Sequence, residues 1–570
     1  DKDYVGMSAN SSISYDLSTL KPNETREFEL YIFIEDSKIG LDNLEKTIDD
    51  VLNSDIVIEE KVIEEPLEKE TNVNDEITKL KNDKINELNS IINSSDISNE
   101  SKNELKNSIQ LLSNLNITSN GEAAIIDPLR EVQPYLDRLE RDNVRLKYIF
   151  ETHFHADFVS GHLDLSKATN APIVYGPTAK PEFEAIVATD NQIFEIGNIK
   201  IKVLHTPGHT MESTTYLLID ETGKEHAIFS GDTLFIGDVG RPDLAQKAAG
   251  MTQEQLAGIL FHSLRDKIMT LADEVIVYPA HGAGSACGKN MSKETVSTIG
   301  QQKATNYALR ANMTEAEFIK EVTDGLLPPP AYFGMNVAMN KKGYESFEKV
   351  LHNGMQALSA TDFERIADET GALVLDTRNS GDFYKAFIPQ SINIGINGDF
   401  APWVGAMIAD VQQPLLLVTE KGREEETVTR LSRVGFDHIL GHLEGGFESW
   451  TKANKEIDTI HRISAAEFEQ KVNTDKDVII DIRKESEYSA EHVAEAYNKP
   501  LSAINDWITT IDPKQHFFMH CAGGYRSMIA ASILQARGFR NFTEIEGGFG
   551  AIAKTTVPKT DFVCQSKVLK

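Results

Sequence analysis

The sequence predicts a multidomain α/β protein, and three observations carry that expectation. The chain has 570 residues, more than one hydrophobic core organises, so three or four domains are expected. From Gly121 onward, short apolar runs end in polar turns, as in "EAAIIDP", "RLKYIFETHFHAD", "IKVLHTPGHT", "AIFSGDTLF" and "DEVIVYPAHG". They read as buried strands whose C-terminal ends deliver His, Asp or Gly, where α/β sheets commonly carry function. Two later segments then repeat one scheme at a spacing of about 100 residues.

The repeat is dense. Its first copy runs "ALVLDTR", "FIPQSINI", "PLLLVTEKGREEE", "RVGFDHI", "LEGGFESW"; the second runs "DVIIDIR", "EHVAEAYNKPL", "HFFMHCAGGYRSM", "ARGFRNF", "IEGGFGA". Strand–acid–Arg, strand–loop–helix and a closing Glu-Gly-Gly-Phe recur in order, which marks an internal duplication of a small α/β domain. A Pro-rich break, "LLPPPAYFG" (326–334), stands ahead of it.

Composition narrows the function classes. Apolar content is 40%, and the absence of a run of about 18 apolar residues predicts no membrane span. Residues 1–20 lack the basic-then-apolar order of a secretory leader. Three scattered cysteines make no disulfide framework, so a reducing, cytoplasmic compartment is expected. A net charge of −31 repels phosphate and argues against general nucleic-acid binding.

Before residue 120 the texture differs. Asn, Lys, Ile, Glu and Ser dominate, with acidic runs such as "VIEEKVIEEPLEKE". "REFELYIFIED" (26–36) alternates like a strand, and "DEITKLKNDKINELNSIIN" and "ESKNELKNSIQLLSNL" carry helical spacing on either side of "SSDISN". A helical hairpin in a solvated or partly disordered appendage is expected, with no catalytic constellation.

Chemistry concentrates first in "THFHADFVSGH" (152–162). Residues i and i+2 of an extended segment point to one side, so His153 and His155 can converge, with Asp157 joining from the following turn. His209 in "TPGHT", Asp232 in "SGD" and His281 in "PAHG" end later strands. A single histidine is commonly structural; six such groups at strand ends or in turns together predict a metal site.

"HFHAD…GH", "TPGHT", "GDTLF" and "PAHG", in this order, resemble the metallo-β-lactamase superfamily. The resemblance implies an αββα sandwich with metal between its sheets. Superfamily hydrolases generally bind two ions, the second through an Asp-His pair; here that pair reads Asp157-Phe158, and phenylalanine cannot coordinate. A mononuclear site is therefore expected.

Within the superfamily, "ETHFHADFVSG", "GDVGRPDL" and "YPAHGAGSACG" look like the persulfide dioxygenases fused to rhodanese domains. This resemblance implies one Fe(II) per chain, held by His153, His209 and Asp232. His155, Asp157 and His281 become supporting or proton-handling groups. Arg241 matches a position near the thiol substrate, where it would pair with a substrate carboxylate or phosphate or else form a structural salt bridge. Cys287, six residues after His281, is expected near the mouth of the iron site.

The second constellation is "HCAGGYRS". Cys521 follows a strand and precedes a helix expected over 527–537, so its thiolate faces a helix N-terminus and a ring of backbone N–H groups. Arg526 adds a cation, and Gly523 and Gly524 let the backbone curl around the sulfur. The loop resembles the rhodanese active site, in which the cysteine cycles between thiol and persulfide. The first copy departs from that pattern: its loop reads "VTEKGREEE", without cysteine, and is expected to be a non-catalytic rhodanese. Cys564, in the tail, is expected to play no part.

Together these resemblances imply a multidomain α/β architecture. By them 117–355 is expected to be the metallo-β-lactamase-like dioxygenase, 356–458 the inactive rhodanese and 459–570 the rhodanese with Cys521; residues 1–116, outside the resemblance, are expected to be a segment of foreign composition, a mainly helical hairpin or a linker. The implied reaction oxidises a low-molecular-weight persulfide, of glutathione, coenzyme A or similar, with O2 to sulfite and thiol. Cys521 would then make thiosulfate from sulfite, or run in reverse and supply persulfide; a homo-oligomer is compatible with this. The rival readings are a zinc thioester hydrolase of the glyoxalase II kind, using metal-bound hydroxide, and a sulfide-responsive scaffold. By the same resemblance the first domain begins with a strand hairpin. Only "NLNITS" precedes "NGEAAIIDP", so the sheet edge is expected to be incomplete.

Overall fold

A computed structural model describes residues 115–117 and 121–563, apart from 283, 284, 290, 327 and 475. The strand-like piece at 26–36, the helical hairpin and Cys564 lie outside the described residues. The described chain forms two compact units. One runs through Phe154 and Ser160–Pro329; the other joins His155–Val159 to the chain from Pro330 onward.

The first unit is built on two sheets. In the first, β1 (Leu115–Ile117), β2 (Glu122–Ile126), β3 (Arg145–Glu151), β4 (Ile173–Tyr175) and β5 (Ile186–Val187) lie in sequence order. β1 pairs antiparallel with β2, so a three-residue strand covers the edge that the sequence leaves short. The second sheet runs β13-β12-β9-β8-β7-β6. Its strands are β6 (Ile193–Ile196), β7 (Ile199–His205), β8 (Thr214–Ile219), β9 (Glu225–Gly231), β12 (Ile276–Pro279) and β13 (Ser297–Thr298), with a ribbon of β10 (Leu234–Phe235) and β11 (Asp238–Val239) beside it.

The central strands are apolar almost throughout because layers cover both of their faces. Ala124, Phe150 and Val174 of the first sheet and Phe194, Val203, Tyr216 and Phe229 of the second share one core. On the far side of the second sheet, Leu217, Ile228 and Val277 pack on Leu260 of α1 (Gln253–Ser263) and Phe318 of α2 (Glu315–Thr323). Helix, sheet, sheet, helix is the layering implied above.

The second unit shows the duplication directly. β14 (Ala357–Leu358), β15 (Leu373–Asp376), β16 (Ile392–Asn393), β17 (Leu415–Val418) and β18 (Ile439–Leu443) order as β14-β18-β17-β15-β16. β19 (Arg462–Ile463), β20 (Val478–Asp481), β21 (Tyr497–Asn498), β22 (Phe517–His520) and β23 (Phe542–Ile545) repeat that order as β19-β23-β22-β20-β21.

The acid–Arg signature of the repeat is a buried clamp. Arg378 donates to Asp376 at 3.0 and 2.6 Å, to the Ala386 carbonyl at 3.0 Å, and lies 4.0 Å over the Phe447 ring. Arg483 does the same with Asp481 at 3.0 and 2.6 Å, the Glu491 carbonyl at 2.8 Å and Phe549 at 4.0 Å. An Asp–Arg pair so fully hydrogen-bonded fixes the loop after the strand, and the scaffold of the two copies is alike. The helix after Cys521, α3 (Tyr525–Ala536), starts two residues earlier than expected. Gly524, at φ 106°, turns the chain at once, which places Arg526 and Ser527 inside the first helical turn.

Candidate functional site

The candidate metal centre begins where β3 ends. Thr152 is pinned by Asp127, which accepts from its backbone N–H at 2.7 Å and its hydroxyl at 2.8 Å. With that proton committed, Thr152 Oγ1 accepts from His153 Nδ1–H at 3.0 Å. His209 Nδ1–H donates to the Arg241 carbonyl at 2.9 Å. Both rings are thereby oriented in the tautomer whose Nε2 carries the lone pair, the arrangement a metal-binding histidine needs.

Those Nε2 atoms converge on Asp232. His209 Nε2 lies 3.3 Å and His153 Nε2 3.8 Å from Asp232 Oδ2, and the donor atoms of all three residues lie within 4.8 Å of one another. All three are buried, and the carboxylate oxygens of Asp232 accept no hydrogen bond among the described residues. A buried carboxylate without donors is strongly disfavoured unless a cation faces it. The residues therefore fit a divalent ion, and two imidazoles with one carboxylate are a donor set that takes ferrous iron or zinc.

Gly240 closes the site from behind. A Cβ there would stand 1.9 Å from the Asp232 carbonyl and 3.0 Å from His209 Nδ1. Gly240→Ala must therefore displace two ligands' supports at once, and its metal affinity is expected to fall by about 10–100-fold, as for other losses of ligand support; metal titration against a competing chelator reads this.

Two further groups share the pocket. His281 Nε2 lies 3.3 Å from Asp232 Oδ1, and Cys287, buried, falls with Asp232 and His281 in a second cluster whose donor atoms lie within 4.8 Å. Arg241 is engaged: its guanidinium donates to Asp243 at 2.6 and 2.7 Å and to the Ala286 carbonyl at 3.2 Å. A substrate anion would compete with Asp243 for that fork. His155 and Asp157 belong to the five-residue segment grouped with the second unit. There Asn340 donates to the carbonyls of His155 and Phe158 at 2.8 Å each. His155 is fully buried and Asp157 half-buried. The Phe158 ring packs 4.3 Å from the His155 ring and itself offers no donor atom.

The thiol loop sits at the end of β22. Cys521 is 1% exposed, and Gly524 N–H points at its Sγ from 3.0 Å. The sequence suggested Arg526 as a cation for the thiolate. Its fork grips Glu487 at 2.6 and 2.8 Å, an ion pair that holds the Glu487 carboxyl below the ordinary range, and the guanidinium also interacts electrostatically with Cys521.

Three residues that the sequence did not single out complete the loop's surroundings. Ser527 Oγ lies 3.4 Å from Cys521 Sγ and donates to Glu544 Oε1 at 2.6 Å; Arg462 Nε donates to Glu544 Oε2 at 2.6 Å. Glu544 is fully buried. The signal was present but local: "FTEI" sets a carboxylate among apolar strand residues, and "HRIS" opens the neighbouring strand with an arginine. Only the parallel register, Arg462 opposite Glu544, joins them.

The same register identifies what the first copy puts in these places. Asp376 pairs with Val418 as Asp481 pairs with His520, so Thr419 stands where Cys521 does. Ala357 faces His442 as Arg462 faces Glu544. Thr419 is buried and its hydroxyl makes no hydrogen bond among the described residues.

Comparison with known proteins agrees with this division. Residues 116–281 match the Metallo-beta-lactamase superfamily, and residues 359–453 and 464–555 each match the Rhodanese-like domain. A probable hydroxyacylglutathione hydrolase of Schizosaccharomyces pombe is 32% identical over 219 residues, 34% of this chain and 80% of that protein. The human mitochondrial persulfide dioxygenase ETHE1 is 29% identical over 223 residues, 39% of this chain and 79% of that protein. A metallo-beta-lactamase structure from Staphylococcus aureus aligns with a TM-score of 0.50 at 31% identity, covering 57% of this chain and 92% of its own. The chain belongs to the metallo-β-lactamase superfamily, and two rhodanese-like domains follow that fold.

Proposed function

We propose that the chain is a persulfide dioxygenase coupled to a sulfurtransferase. A low-molecular-weight persulfide, of glutathione, coenzyme A or a similar thiol, is oxidised with O2 to sulfite and free thiol at one Fe(II). Cys521 exchanges sulfur with sulfite or thiosulfate. The observation that carries the first half is the buried His153–His209–Asp232 triad, in a sequence that has phenylalanine at 158, directly after Asp157. Ferrous iron there would supply open coordination positions for sulfur and dioxygen. The chain's part is to hold the two imidazoles in one tautomer and to present a carboxylate with no competing donors. The second half rests on the buried Cys521 under a helix N-terminus. Three cysteines in 570 residues suit the reducing, cytoplasmic setting proposed for it. Among the described residues no helix is long and apolar enough to cross a membrane.

The hydroxyacylglutathione hydrolase relative favours a second reading, thioester hydrolysis with zinc. Oxygen uptake separates the two. Protein loaded anaerobically with ferrous iron is expected to consume O2 and yield sulfite when glutathione persulfide or coenzyme A persulfide is added. No uptake with iron bound, together with thioester cleavage by the zinc form, would replace the dioxygenase with the hydrolase.

A further inference from the structure

We propose that Glu544, acting through Ser527, takes the proton of Cys521 and so sets the pH range over which this thiol is nucleophilic. The proposal rests on the sulfurtransferase reading of Cys521 and names a positioning residue that the loop itself does not contain.

The geometry is a line of three groups. Cys521 Sγ, Ser527 Oγ and Glu544 Oε1 are linked by contacts of 3.4 and 2.6 Å. The Ser527 hydroxyl has one proton and three acceptors within reach, Glu544 Oε1 at 2.6 Å, the Gly524 carbonyl at 3.2 Å and Cys521 Sγ at 3.4 Å; with the proton in the shortest bond, to the carboxylate, Ser527 Oγ presents a lone pair to the sulfur. That face accepts S–H. In the transfer, the S–H bond breaks and leaves its electron pair on sulfur. The proton forms an O–H bond on Ser527 as the original hydroxyl proton passes to Glu544 Oε1. One negative charge thus moves from carboxylate to sulfur and the proton count is unchanged. The new thiolate lies 3.0 Å from Gly524 N, at the N-terminus of the twelve-residue helix α3, where a negative charge is favoured.

The surrounding charges permit this. Arg462 from β19 and Glu546, just beyond β23, act on Glu544; Arg526, Asp481 and Arg483 surround Cys521 and His520. Burial raises the Glu544 carboxyl above the ordinary range against the pull of Arg462 and Ser527, which suits a proton acceptor. Arg526 is committed to Glu487, and burial keeps His520 neutral. Among these groups Glu544 is the carboxylate bonded to a hydroxyl that touches the sulfur.

The first copy supplies an internal comparison. It keeps the Asp376–Arg378 clamp, yet Thr419, His442 and Ala357 stand where Cys521, Glu544 and Arg462 do. Sulfur, carboxylate and arginine are replaced together, as parts of one device would be, while the scaffold pair is not.

The test is the pH dependence of iodoacetamide alkylation of Cys521 in the full chain, read by mass spectrometry of its peptide so that other cysteines do not contribute. A thiol and carboxylate sharing one proton keep a pH-independent thiolate fraction between their two macroscopic steps. Wild type is expected to show this acid-side plateau. In Glu544→Gln the plateau disappears, and alkylation near pH 6 becomes at least about tenfold slower while that near pH 9 stays within about twofold, as expected for an isolated thiol. Ser527→Ala, which keeps the Glu544–Arg462 pair, is expected to match it. Profiles of either variant that coincide with wild type, or alkylation faster than wild type at every pH in Glu544→Gln, would overturn the proposal and leave Glu544 a buried structural charge. A wild-type plateau lost in both variants, in a protein that transfers no sulfur to cyanide or sulfite, would support the shared proton and remove the sulfurtransferase reading alone.

Discussion

Asp232→Ala is expected to abolish iron retention and lower persulfide-dependent oxygen uptake by roughly three orders of magnitude, a loss of about 4 kcal/mol of transition-state stabilisation. Metal analysis by atomic emission and an oxygen electrode read the two quantities. The same change should have the opposite effect on the metal-free fold. Asp232 is buried, and its oxygens accept no hydrogen bond among the described residues, so the apo protein carries an uncompensated carboxylate that alanine removes. A gain of about 2 kcal/mol, or ~4–8 °C in the Tm of the first unit, is expected without metal. An apo variant that melts lower than apo wild type would show that Asp232 serves the fold and not the ion.

Cys521→Ser is the second large effect. Sulfur exchange between thiosulfate and cyanide is expected to fall to background, by at least about 1000-fold, because the alkoxide needed in place of a thiolate is inaccessible at neutral pH. Sulfite formation from added persulfide should continue, so sulfite is expected to accumulate if the proposed coupling runs toward thiosulfate in the wild type. The reciprocal change, Thr419→Cys in the first copy, is expected to restore no exchange to the Cys521→Ser chain. It would place sulfur at the right strand end, but Arg423 there is committed to Glu426 at 2.8 Å, and His442 and Ala357 replace the carboxylate and its arginine. Exchange regained by that double variant would show that cysteine alone is sufficient, and would weaken the case for Glu544.

Much of this was legible in the sequence because the signals are local. A strand between two layers must be apolar on both faces, so "AIFSGD" and "VIVYPAHG" announce buried strands and the functional residues that end them. The duplication was legible for the same reason: "LDTR" and "DIR" each encode an acid–Arg clamp within three positions. The start of α3 was displaced because glycine at 524 adopts a left-handed turn that periodicity does not register.

What the sequence alone determined is the inventory: strand ends and turns carrying four histidines and two aspartates, and one loop with a cysteine where its twin has none. Tertiary structure decided how those groups are charged and tied. The carbonyl of Arg241 fixes the His209 tautomer from 32 residues away, Glu487 takes up Arg526 from 39 residues away, and Glu544 reaches Ser527 from 17. Each is a hydrogen bond between elements distant along the chain. Such a bond depends on sheet order and register, which arise from packing the whole domain and leave no periodic trace in any one segment.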